Sequence, residues 1–186
     1  MALRNNPRVL IPLAEGFEEI EAVTIIDLLR RAGVEVIMAG LAPRKTVKGA
    51  HSIGFETETS LRDVEGQDFE AIILPGGMPG STNLAESKEL EGLLRKHQTK
   101  GSHLAAICAA PTVLAKYGFL KGKRATCYPS FEAKLGGSTI SKESVVEDGN
   151  IVTSRGPGTA IPFALAMIRR LVGPERAEEV RKNILS

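Results

Sequence analysis

The stretch His103-Leu104-Ala105-Ala106-Ile107-Cys108-Ala109-Ala110-Pro111 decides the fold. A short apolar run closes on one cysteine and passes directly into a helical pattern over Ala109 to Tyr117. A run this short, bounded by a break, reads as a buried strand. The same strand-then-helix unit repeats upstream. Ala71 to Leu74 runs into Pro75-Gly76-Gly77 and then a helical segment through Leu90 to His97. Arg8 to Leu13 ends in Ala14-Glu15-Gly16, and a helix follows over about Glu18 to Ala32. Its apolar residues Ile25, Leu28, Leu29 and Ala32 are spaced for one helical face, and Gly33 stops it. Val34 to Ala39 is a second strand, and residues 44 to 60 form a polar excursion, a hairpin or irregular segment.

Downstream, Arg124 to Cys127 reads as a short strand. Ser144 to Val146 and Ile151 to Ser154 flank a turn at Glu147-Asp148-Gly149-Asn150. An amphipathic helix then shows Ala160, Phe163, Ala164, Met167, Ile168 and Leu171 on one face. A last helix begins near Pro174, a residue suited to the first helical position. Alternating strands and helices predict an α/β fold with a mostly parallel central sheet and helices on both faces. No linker, repeat or low-complexity stretch interrupts the chain, so residues 1–186 read as a single domain.

Composition narrows the function. Twenty-four basic and 22 acidic residues leave a formal charge of +2, too little to imply a nucleic-acid or acidic-membrane partner. Aromatic residues are only 4% with no Trp, which argues against stacking on exposed bases. No apolar run approaches the roughly 20 residues that span a bilayer. The start does not read as a signal peptide, and two cysteines without one fit a reducing cytosol. Cys108, Cys127 and three scattered histidines, His51, His97 and His103, do not make a zinc site.

Sites in open α/β sheets lie beyond the carboxyl ends of the strands. That rule selects the segments after Leu13, Leu74, Ile107 and Ser154. Cys108 sits on a strand-turn-helix elbow, where a following helix points N–H groups at the sulfur and favours thiolate. The competing reading is a buried structural cysteine. Cys127 precedes Tyr128-Pro129 and reads as structural. Glu21 falls on the apolar stripe of the first helix, four residues before Ile25, so burial raises its pKa and makes it a neutral acid near pH 7. Glu18, at the helix start, competes for this role. Gly76 and Gly77 offer bare backbone N–H groups which, with that of Ala109, suit an oxyanion hole. Ser154-Arg155-Gly156-Pro157 is another bare loop, suited to a small anionic site.

Four segments together resemble the ThiJ/PfpI superfamily, most closely its parkinsonism-associated protein deglycase and glutathione-independent glyoxalase branch. They are Gly16-Phe17-Glu18-Glu19-Ile20-Glu21, Leu74-Pro75-Gly76-Gly77, Ala105-Ala106-Ile107-Cys108-Ala109-Ala110-Pro111 and Thr153-Ser154-Arg155-Gly156-Pro157-Gly158-Thr159. The resemblance covers essentially the whole chain, in order. It implies a flavodoxin-like three-layer sandwich, usually a homodimer, with Cys108 as nucleophile, Glu21 as its partner acid, and Gly77 and Ala109 as oxyanion donors. Tyr128, Ser154, Arg155, Gly156 and Pro157 are then the expected substrate pocket. The implied chemistry is cofactor-free and metal-free conversion of methylglyoxal or glyoxal to lactate or glycolate. Removal of early glycation adducts, oxidation of the cysteine to sulfinate in stress sensing, and chaperone activity are also associated with the family. Two positions depart from many relatives: Tyr128 stands where His is common, and His51 where Arg is common. Ala109 directly after the nucleophile argues against the peptidase-like branch, which has His there. The downstream His-x-Glu pair of class I glutamine amidotransferases is absent.

Overall fold

Every strand expected from the short apolar runs joins one sheet except Arg124 to Cys127. The structure, a computed structural model, describes residues 6–43 and 46–186. The strands are β1 (Arg8–Leu13), β2 (Glu35–Gly40), β3 (Thr46–Lys48), β4 (Gly54–Glu56), β5 (Thr59–Ser60), β6 (Ala71–Leu74), β7 (His103–Ile107), β8 (Arg124–Ala125), β9 (Thr139–Ile140), β10 (Val145–Asp148) and β11 (Ile151–Ser154). Seven form a sheet in the order β10-β11-β7-β6-β1-β2-β5. Only the edge pair β10 and β11 is antiparallel. That pair is the one joined by a tight turn, as antiparallel neighbours can be.

Among the described residues there are six α-helices, α1 (Glu19–Arg31), α2 (Gly80–Glu86), α3 (Lys88–Thr99), α4 (Pro111–Lys116), α5 (Ala160–Leu171) and α6 (Pro174–Asn183), besides three short 3-10 turns. Alternate residues of each central strand feed opposite faces. Val9, Ile11 and Leu13 of β1 and Ala105 and Ile107 of β7 share a core cluster with Ile25 and Leu29 of α1, Phe163 and Met167 of α5, and Val180 of α6. Leu10 of β1 and Leu104 and Ala106 of β7 face the other way, onto Leu84, Leu94, Val113 and Leu114 of α2, α3 and α4. The protein is therefore a three-layer α/β sandwich whose central strands are buried on both faces. No helix among the described residues is long and apolar enough to cross a membrane.

Three local expectations need correction. The expected strand over Arg124 to Cys127 stops at Ala125 and pairs with β9 in a separate two-stranded ribbon. Thr126 turns away, its N–H taken by the Thr153 hydroxyl at 3.0 Å. The helix expected from Ala109 starts instead at Pro111, which cannot donate an N–H and so suits a first turn. The segment from Gly80 through His97 is two helices, because Ser87 leaves helical geometry and caps α3 by accepting from the Leu90 N–H at 3.2 Å. The excursion over residues 44 to 60 is a hairpin, β3 with β4, before β5 joins β2 at the sheet edge. Arg44 and Lys45 lie outside the described residues.

His97 is a core residue. Its Nδ1 donates to the Leu93 carbonyl at 2.8 Å, and its Nε2 accepts from the Phe69 N–H at 3.1 Å. Those roles fix the neutral tautomer, and burial holds its pKa below the ordinary 6.5. The unfolded chain takes up this proton more readily than the native one, so the contribution is complete above pH 6.5 and is lost as pH falls below it. His97→Leu should cost about 1–3 kcal/mol at pH 7.5, because the Phe69 N–H loses its acceptor. Urea unfolding at pH 7.5 and 5.5 checks both points; the variant should lose less stability than wild type on acidification.

Candidate active site

The parallel register brings the carboxyl ends of β6, β7 and β11 level, with Leu74 opposite Ala106 and Ile107 opposite Ser154. Cys108 leaves the end of β7 with φ +64°, the left-handed region that residues other than glycine rarely occupy. Two hydrogen bonds hold that geometry. The Cys108 N–H donates to the Ser154 carbonyl at 3.0 Å, and its carbonyl accepts from the Tyr128 N–H at 2.9 Å. The elbow is thus pinned between two loops, and its side chain is half-buried.

Glu21 faces it from α1. Glu18 is the residue before that helix, in extended conformation, so the helix begins one residue later than the sequence suggested. Glu21 is 0% exposed. Its Oε2 accepts the Gly76 N–H at 2.7 Å, whereas Oε1 is buried with no hydrogen-bond partner among the described residues. Burial raises its pKa to about 7, with the Gly76 N–H and the Cys108 thiol pulling the other way. Gly76 is required here for space. A Cβ on it would lie 2.6 Å from the Cys108 Cβ and 2.7 Å from Glu21 Oε2.

Three expectations for this site change. The Gly76 N–H is committed to Glu21 and is not an oxyanion donor. Gly77 and Ala109 are the N–H groups that reach the sulfur. Ser154 is fully buried, with its hydroxyl donating to the Ser144 carbonyl at 2.7 Å and paired with Thr159, so it braces the elbow and does not line a pocket. The third concerns ionisation. The sequence predicts a thiolate, but burial and then the Glu21 carboxylate push the Cys108 thiol up to about 12, against the pull of the Gly77 and Ala109 N–H groups. The positive helix end invoked for the thiolate also begins too late, at Pro111. A carboxyl and a thiol this close share one proton and titrate as a pair.

Glu19 is the carboxylate that sequence reading missed. It is buried on α1 yet faces the hairpin. Its Oε1 accepts the His51 and Ile53 N–H groups at 2.7 and 3.3 Å, and Oε2 pairs with His51 Nδ1 at 3.0 Å. Burial alone would raise its pKa, but these donors hold it below the ordinary value. Glu18, Glu19 and His51 present ligand atoms within 4.8 Å of one another. Because both Glu19 oxygens already accept from the hairpin, the cluster reads as a clamp that docks residues 49 to 53 beside the site. Gly49 leaves room for this clamp, since a Cβ there would run into the Glu19 carboxyl.

Tyr128, Arg155, Gly156 and Pro157 do come together. With Pro129 and Ser144 they line an open cavity of about 390 Å³ beside the elbow. Cys127 is buried, with its thiol pushed up to about 11 by burial, and reads as structural. His103 lies at the opposite end of β7 from Cys108, away from the chemistry.

The raised Glu21 pKa carries a stability signature. The native protein holds this proton more tightly than the unfolded chain, whose value is near 4.5. The stabilisation is complete below 4.5 and is lost as pH rises through about 7. Glu21→Gln removes the cost of a buried charge, so it should be more stable than wild type at pH 8, by about 3 kcal/mol. The two should converge at pH 4. Denaturant unfolding at the two pH values tests this, and an equal difference at both would contradict it.

Known proteins agree with this architecture. The model of the DJ-1/PfpI family matches residues 7–170. The chain is 45% identical over 178 residues to protein dj-1beta of Drosophila melanogaster, covering 95% of each. It is 38% identical over 188 residues to the glutathione-independent glyoxalase DJR-1.2 of Caenorhabditis elegans, covering 99% of this chain and 98% of the relative. The crystal structure of Drosophila DJ-1beta superposes with a TM-score of 0.95 at 43% identity, covering 97% of this chain and 98% of that one. The fold is accordingly flavodoxin-like, and the chain belongs to the DJ-1/PfpI family.

Proposed function

We propose that this protein is a glutathione-independent glyoxalase, converting methylglyoxal to lactate and glyoxal to glycolate at the Cys108–Glu21 pair. One observation carries the reading. Glu21 is a fully buried acid in hydrogen-bonding contact with the Cys108 thiol, and its pKa is raised to about 7. That is a proton carrier poised for neutral pH. The Caenorhabditis relative bears this activity in its name.

The chemistry balances with water as the only co-reactant. Ionised Glu21 takes the thiol proton as sulfur bonds to the aldehyde carbon, which offsets the high intrinsic pKa of the thiol. The Gly77 and Ala109 N–H groups hold the new oxyanion as it becomes the hemithioacetal hydroxyl. A proton leaves the former aldehyde carbon and another arrives at its neighbour through an enediol, with Glu21 carrying it. The resulting thioester is hydrolysed, which returns the thiol and releases lactate. The scheme needs no metal or cofactor. On an early glycation adduct, a hemiaminal, the sulfur would displace the protein amine, which leaves with the thiol proton, and the same enediol and hydrolysis steps would complete protein deglycation.

The alternative reading is a redox sensor or redox-regulated chaperone acting through Cys108 sulfinate. Cys108 is the more accessible of the two free thiols, which favours it as the oxidised one. Sulfinate formation starts from thiolate, however, and the resting thiol is pushed the other way. The glyoxalase scheme has a base to remove that proton within the catalytic step, so it is preferred. Two free thiols fit a cytosolic location, and a net charge of +2 fits a partner that is not a nucleic acid.

A homodimer is also proposed. Ile20 and Val23 of α1 and Ile53 of the hairpin are 58%, 44% and 56% exposed, on the surface where Glu19 joins the two elements. A second copy of this chain would cover them. Sedimentation should give a dimer, and Val23→Lys should shift it toward monomer; a monomeric wild type at all concentrations would end the dimer reading.

Metal-free wild type should form lactate from methylglyoxal, Cys108→Ser should form none, and Glu21→Gln should lose roughly 10²–10⁴-fold in kcat. For wild type, kcat/KM should rise with pH up to about 7 and then level off, as Glu21 becomes the base. Glu21→Gln should lose that inflection. Undiminished turnover in Cys108→Ser is incompatible with the scheme.

A further inference from the structure

We infer that Arg155 and Tyr128 form a subsite for a carboxylate-bearing tail, so the preferred substrates are α-oxoaldehydes with an anionic substituent rather than methylglyoxal itself. The inference rests on the glyoxalase reading and names the substrate class for that same site.

The charge pattern is the first observation. Among the described residues, every other arginine is ion-paired with a carboxylate. Arg155 has no such partner there. Its Nη1 donates to the Lys142 carbonyl at 3.0 Å, which orients the guanidinium without neutralising it. The cavity it lines contains one cation and no carboxylate among its lining residues. By contrast, the similar-sized pocket at the opposite end of the sheet, lined by Asp68, Glu70, Lys100 and Arg170, has its cations already paired, Lys100 to Asp68 and Arg170 to Glu147.

Position is the second observation. One wall of the cavity is Tyr128, whose N–H donates to the Cys108 carbonyl, and the other begins one residue after Ser154, whose carbonyl accepts the Cys108 N–H. Both walls are therefore tethered to the backbone of the nucleophile itself. The proposed substrate would place its carbonyl at the sulfur and run its tail along these walls.

Size and shape are the third. The cavity measures about 390 Å³, far more than the five heavy atoms of methylglyoxal fill and within the roughly 300–1,000 Å³ range of ligand pockets. Tyr128 is 46% exposed and rests on bare Gly156, where a Cβ would come within 3.3 Å of its ring. An aromatic or planar linker can lie against that ring. A single guanidinium presents a fork that matches one carboxylate, and one positive charge balances one negative. A dianionic phosphate would leave a charge uncompensated.

The test compares phenylglyoxal with 4-carboxyphenylglyoxal, using initial rates of mandelate and 4-carboxymandelate formation alongside methylglyoxal turnover. Wild type should favour the carboxylate substrate in kcat/KM by about tenfold or more. The ratio should fall to near one in Arg155→Gln and be partly kept in Arg155→Lys; a ratio cancels any general loss of activity. Calorimetry with the two products, 4-carboxymandelate and mandelate, gives the same comparison without turnover. If methylglyoxal is converted but neither ratio nor binding favours the carboxylate, the subsite is refuted and the glyoxalase reading stands. If nothing is converted yet Arg155 still discriminates the two products, the reaction is wrong and the anionic subsite stands. Equal discrimination by wild type and Arg155→Gln also overturns the proposal.

Discussion

The hydrogen bond from the Gly76 N–H to Glu21 Oε2, 2.7 Å long, is the contact on which the site depends. It joins α1 to the loop after β6 and holds the Glu21 carboxyl against Cys108. A buried carboxyl with no partner would be costly in either protonation state. With a backbone N–H on one oxygen and the Cys108 thiol in contact with the group, the carboxyl is tolerated and its pKa is held at about 7. The arrangement leaves no room for a side chain at position 76, because a Cβ would enter the space between the sulfur and the acid. Catalytic capacity and the bare loop are therefore one constraint.

Two carboxylates on the same helix show how finely position decides chemistry. Glu19 and Glu21 are both buried, two residues apart. Glu19 meets two backbone N–H groups and His51, and its charge is held. Glu21 meets one N–H and a thiol, and its charge is opposed. Donor count separates a structural clamp from a proton carrier. His51, 68% exposed in its side chain, completes the clamp from outside and is itself drawn toward the charged form, first by Glu19 and then by Glu18.

Much of this was legible in the sequence where one local pattern sufficed. The runs at Arg8, Ala71 and His103 became central strands because their composition suits burial on both faces. Helical spacing narrows the acid to Glu18 or Glu21, with Glu21 slightly ahead because it falls on the apolar stripe, and the family resemblance then points to Glu21. What stayed hidden depended on long-range partners. The commitment of the Gly76 N–H, the inward turn of Ser154 and the hairpin clasped by Glu19 are contacts between segments 55, 10 and 32 residues apart. The strand ending at Ala125 was overestimated because an apolar pattern does not reveal that Thr126 finds its partner on another segment, the Thr153 hydroxyl.

The ionisation of Cys108 is the most instructive miss. Elbow geometry and a following helix favour thiolate, yet the helix begins only at Pro111, and burial and then the neighbouring carboxylate push the thiol up against the pull of the two N–H groups. This makes the site more coherent. A standing thiolate beside an already protonated acid would have no base for its first step and would lie open to oxidation between turnovers. Under the proposed glyoxalase reading, a protonated thiol beside an acid with a pKa of about 7 would be quiet until an aldehyde arrives. The proton would then move to the acid as the carbon–sulfur bond forms, and the charge would pass to an oxygen that the Gly77 and Ala109 N–H groups can hold. On that scheme the energy of ionising the sulfur is met only in the presence of the electrophile, where it contributes to reaction rather than to damage.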